Sequence, residues 1–108
     1  MINNLSLSTS SDEIPSDISL KQNYPNPFNP TTTIGFNVEV QSDISLSIYD
    51  LNGKLIKELI NQNNLNPGSY SFTWDGKNQN NMEVSSGTYI CKLVSDNYSD
   101  QIKLLLIK

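Results

Sequence analysis

The sequence predicts an all-β fold, a seven-stranded antiparallel immunoglobulin-like β-sandwich, on three observations. The chain holds 15 Asn and 15 Ser but no Ala, a balance that starves helices and supplies turns. Apolar residues recur at every second position over several short stretches, the spacing of a strand with one buried face. Turn-forming groups, Asn52-Gly53, Asp75-Gly76 and Ser95-Asp96-Asn97, separate those stretches.

Taken in order, Met1 to about Asp17 carries too little apolar surface to offset ordering entropy and reads as a polar linker, leaving 18–108 as the domain. Ile18 and Leu20 begin a first strand. The stretch "YPNPFNP" follows, and its prolines fix φ and delete donors, so it cannot continue a ladder and must cross between sheets on a set path, with Phe28 as its anchor to the core. "TTTIGFNVEV" then alternates Ile34, Phe36, Val38 and Val40 inward. Ile44, Leu46 and Ile48 repeat the period before Asn52-Gly53 turns the chain into a return strand, Lys54 to Ile60. In that return Leu55, Ile56, Leu59 and Ile60 also fit a helical stripe, but so short a segment beside hairpin chemistry is assigned as a strand. After the polar loop "NQNNLNPG", Tyr70, Phe72 and Trp74 share a core face. Tyr89, Cys91 and Leu93 point inward opposite Lys92, and the same alternation buries Ile102, Leu104 and Leu106 in the last strand. It also sends Leu105 and Ile107 to the opposite face beside Lys103, where a strand-adding or groove-binding partner would find two apolar groups.

Little in the composition supports catalysis. There is no His, the commonest general base, and Cys91 sits on an inward face with no partner to make it a thiolate. Asp43, Asp50, Glu58, Asp75 and Glu83 fall mostly at strand ends, where carboxylates are simply solvated. "DGKNQNNMEV" looks like a calcium loop only superficially. Lys77 stands where a ligand oxygen is required, leaving Asp75 and Asn78 for at most a weak ion. Asn4-Leu5-Ser6 and Asn97-Tyr98-Ser99 match the glycosylation acceptor pattern, which chance supplies in so Asn- and Ser-rich a chain. A net charge of -4 with no Arg argues against nucleic acid as a partner. No enzyme activity and no cofactor is expected.

Together "YPNPFNPTTTI", "LSIYDLNGKLIKEL", "NPGSYSFTWDGKN", "SSGTYICKL" and the terminal "IKLLLIK" resemble the carboxyl-terminal sorting domain of the type IX secretion system of Gram-negative bacteria. That resemblance spans about Leu20 to Lys108. It implies a signal that carries an N-terminally attached cargo across the outer membrane, read by the translocon and its shuttle proteins and then cut away by a surface sortase. The location implied is the periplasm in transit, then the cell surface or beyond. The family's entrance falls on Pro25, Asn26, Pro27 and Phe28, its hairpin glycine on Gly53, its glycine-x-tyrosine on Gly87 and Tyr89, and its terminal strand on Lys103 to Lys108, with Leu105 and Ile107 outward. One departure is Asn80-Asn81, where many relatives carry glycine. Two other readings compete. A carbohydrate-binding or adhesive module would use Tyr24 and Tyr98, and a structural domain would resemble that of the flagellar hook-capping scaffold.

Overall fold

The computed structural model describes residues 16–108, so most of the expected linker, 1–17, lies outside the described residues. Seven strands follow one another: β1 (Ile18–Leu20), β2 (Thr32–Val38), β3 (Ser42–Tyr49), β4 (Leu55–Leu65), β5 (Gly68–Trp74), β6 (Gly87–Val94) and β7 (Ser99–Leu106). They form two antiparallel sheets, β1-β2-β5 and β4-β3-β6-β7, the immunoglobulin-like sandwich that the alternation predicts.

The inner faces are the ones the period of two selects. Ile34, Phe36 and Val38 of β2 meet Ile44, Leu46 and Ile48 of β3, Tyr89, Cys91 and Leu93 of β6, and Leu104 and Leu106 of β7 in one buried cluster. Trp74 sits at one end, against the Phe28 ring at 5.6 Å and edge-on to Tyr89 at 5.4 Å between centroids. Tyr70, Phe72 and Ile102 point inward too but stay half-buried, because β5 and β7 are edge strands and one flank of each side chain lacks a neighbour. Val40 does not join the core. β2 ends at Val38, and the bend that follows leaves Val40 exposed.

β4 departs furthest from expectation. It runs to Leu65, 11 residues rather than the seven of Lys54 to Ile60, and takes in most of the segment read as a polar loop. Its register against β3 slips between Leu46 and Ser47 and again between Ile48 and Tyr49, so Leu59 and Ile56 each stand as an extra residue. Each bulge places successive residues on one side, which is why Ile56, Leu59 and Ile60 all rest on the core at a helix-like spacing while lying in a strand, with Leu55 turned outward. The β3–β4 turn is a three-residue loop. Gly53 N–H donates to Asp50 O (3.0 Å), Asp50 N–H to Lys54 O (3.0 Å), and only Gly53 takes positive φ, at 84°.

The proline segment corrects the expected crossing. It leaves β1 and returns to β2 of the same sheet, closing on a bridge between Tyr24 and Thr33. Between those points it swings out to the edge of β7 in the other sheet, where Phe28 and Leu106 form a parallel bridge.

Candidate docking surface at the proline entrance

The entrance is held from inside by polar groups. Asn23 is buried, and its Nδ2 donates to Pro25 O (3.2 Å) and to Thr32 Oγ1 (2.9 Å), while the Thr32 hydroxyl donates to Pro25 O (2.8 Å). Gln22 Nε2 donates to Asn23 Oδ1 (2.6 Å) and to Lys103 O (3.0 Å). A buried amide costs free energy unless its donors and acceptors are met, and this clamp meets them. Sequence reasoning passed over Asn23. The available signal was an Asn two residues before Pro25, within reach of that carbonyl.

The segment then seals β7. Phe28 N–H donates to Leu105 O (2.9 Å), Ile107 N–H donates to Phe28 O (3.0 Å), and Leu105 N–H donates to Asn26 Oδ1 (3.0 Å). The backbone groups that an added strand would need at Leu105 and Ile107 are therefore already taken, so the edge half of the expected strand-adding contact is closed. Their side chains remain outward, 38% and 50% exposed.

Gly76 locks the next layer. It is buried at φ +74°, and a Cβ there would stand 3.2 Å from Pro30 O. Trp74 Nε1–H donates to Lys77 O (2.9 Å), which folds the Asp75-Gly76 turn over the ring. Between this turn, Pro30 and the end of β7 lies a cleft of about 480 Å³, carrying Asp75, Lys77, Glu83 and Lys108 on its walls. Lys108 Nζ lies 3.2 Å from Glu83 Oε1, an exposed pair of small energetic weight.

Of the other residues singled out in the sequence, Pro25, Asn26 and Pro27 are exposed at the entrance and Phe28 is buried. Gly87 opens β6 opposite Leu106, and Tyr89 is buried with its hydroxyl donating to Ser85 O. Lys103 is exposed on the outer face of β7. Gly53 stands apart, across the four-stranded sheet. That outer face carries what sequence reasoning missed: Leu55 pairs with Tyr49, Tyr49 with Ile90 and Ile90 with Lys103, so an apolar row runs across the sheet toward Leu105 and Ile107.

The remaining candidates are accounted for locally. Asp43, Asp50 and Asp75 each accept from backbone N–H groups through Oδ1, and Asn78 Oδ1 accepts from Asn80 and Met82. Asn81 takes φ 64°, doing the work of the expected glycine. Glu58 is exposed. Among the described residues no three His, Cys, Asp or Glu side chains come together. Burial pushes the Cys91 thiol up to about 12, so it stays protonated. Tyr24 is 81% exposed, whereas Tyr98 packs half-buried on the core, so the two do not form one sugar-stacking platform.

Comparison with known proteins separates the competing readings. The FlgD Ig-like domain model matches residues 22–99. The basal-body rod modification protein FlgD of Salmonella typhimurium is 31% identical over 75 residues, which are 67% of this chain and 32% of that protein. The chain thus spans about a third of the length of the curated relatives it matches. FlgD of P. aeruginosa superposes with a TM-score of 0.56 at 26% identity, over 82% of this chain and 68% of that one. PorZ, a surface component of the type IX secretion system of Porphyromonas gingivalis, superposes with a TM-score of 0.56 at 21% identity, over 84% of this chain and 11% of that one. The type IX resemblance therefore holds at the level of fold. The sorting-signal function is overturned by the FlgD match, and with it the translocon, shuttle, sortase and cargo as partners. From the residues matched, this chain belongs to the FlgD Ig-like domain family.

Proposed function

We propose that the domain is a non-enzymatic structural module of a hook-capping type of scaffold, one that works by docking protein against its outer surface. The match of residues 22–99 to the FlgD Ig-like domain carries this reading. The solved structure of FlgD from Xanthomonas campestris, similar in fold, is described as giving insights into the hook capping essential for flagellar assembly. The outer row of Leu55, Tyr49, Ile90, Leu105 and Ile107 supplies an apolar centre, with Lys92 and Lys103 on its rim. The location that goes with it is outside the cytoplasm, through the periplasm and then at the cell surface.

The test replaces the Ig-like domain of Salmonella FlgD by residues 16–108 of this chain, so that β1 and β7 come with it, and scores swimming. Motility restored, and lost again on Leu105→Ser with Ile107→Ser (numbered as in this chain), supports the reading. A chimera that accumulates outside the cell folded yet never caps a hook overturns it.

A second reading concerns descent rather than activity. The ordered motif string and the sandwich shared with PorZ favour a common ancestor with type IX sorting domains. An experimental structure of a sorting domain whose proline entrance fails to reach its last strand would count against it.

A further inference from the structure

The flanks of the sandwich are closed unequally. On one, β1 packs against β7, Leu20 N–H donates to Asp100 Oδ2 (3.1 Å), and the proline segment seals the β7 edge. With β1 over β7, the sheet orders set β5 over β3, and β4 is left with no strand above it. The sheet orders leave a slot about one strand wide between β5 and β4 along that flank, bounded at its Trp74 end by Gln79, whose N–H donates to Ile56 O (2.8 Å) and whose Oε1 accepts from Glu58 N–H (3.0 Å).

Its walls have the chemistry of an unfinished sheet. Thr33 and Gly35 turn their backbone groups toward the β1 side, bonding Tyr24 and Lys21, so the alternate residues Ile34 and Phe36 are the ones bonded to Phe72 and Tyr70. The N–H and C=O groups of Ser69, Ser71 and Thr73 therefore face the slot. β5, "GSYSFTW", carries no charge and no proline, the usual devices that blunt an edge. Tyr70 and Phe72 above the slot, and Leu59 and Ile60 below it, all rest on the core yet remain half-exposed.

We propose that β5 accepts an extended segment of a partner protein, added antiparallel or parallel as one further strand, with apolar side chains at alternate positions turned into the slot. A lone strand is what the space admits. A second copy pairing through its own β5 would bring its β4 into the place of this chain's β3. Backbone bonds to Ser69, Ser71 and Thr73 would hold the segment, and cover of Tyr70, Phe72, Leu59 and Ile60 would select the alternation.

The probe is a peptide alternating Val and Thr with a lysine at each end, added to the full chain while amide exchange is followed by NMR. Exchange at Ser69, Ser71 and Thr73 should slow about tenfold at a peptide concentration ten times the Kd. A peptide methylated on alternate amide nitrogens should produce no slowing, and Ser71→Pro, which removes an outward N–H but no internal bond, should weaken binding. Equal slowing by the methylated peptide, or no slowing at millimolar peptide, overturns the proposal. So does finding the three amides already slow in the free chain, which would mean a segment of the chain itself fills the slot.

Discussion

At the scale of single residues, two buried groups decide opposite things. Phe28 is 2% exposed and carries the entrance to the core through Trp74, so Phe28→Ala should cost about 3–5 kcal/mol in denaturant unfolding. Cys91 acts through its proton. A thiol whose ionisation is pushed from 9.0 to about 12 by burial is neutral in the fold while the unfolded chain ionises it, so its share of stability is full below pH 9 and is lost between 9 and 12. Thermal melts over that range should fall more gently for Cys91→Val, with a difference in slope of up to about 1.4 kcal/mol per pH unit. Gly76 obeys a third rule. Its left-handed φ and the Pro30 carbonyl beside it predict a loss of about 1–2 kcal/mol for Gly76→Ala, read from the same melts.

Among the elements, the strands inside the sheets were legible and those at the margins were not. β2, β3 and β6 have neighbours on both sides, so burial follows the period of two, broken only at the buried Ser47 of β3, and Ile34, Leu46 and Cys91 declare themselves. β4 has one neighbour and three register shifts, two of them within Leu55 to Ile60, and no local pattern there distinguishes a bulged strand from a short helix. The proline entrance was legible as stiffness but not as a destination, because its bonds run to residues about eighty positions away. Its role as a seal is testable: Asn26→Ala should speed amide exchange at Leu105 while leaving that of Cys91 unchanged. The outward side chains of Leu105 and Ile107 followed from alternation alone, whereas Tyr49 and Ile90 beside them needed the strand order.

For the whole molecule, function was less legible than fold for a physical reason. The motif string marks turns, a corner and strand ends, and those demands are common to sandwiches with different partners, so a string shared with sorting domains did not separate them from the FlgD family. The topology also sets the kinetics. Pairing is dominated by partners distant in sequence, so stopped-flow refolding should take milliseconds to seconds. The bond between Phe28 and the final strand reaches further still. On a ribosome, the early part of the sandwich waits with its hydrophobic interior open until Leu104 to Ile107 have cleared the exit tunnel. A nascent domain of this design is thus a natural client for chaperones throughout its synthesis.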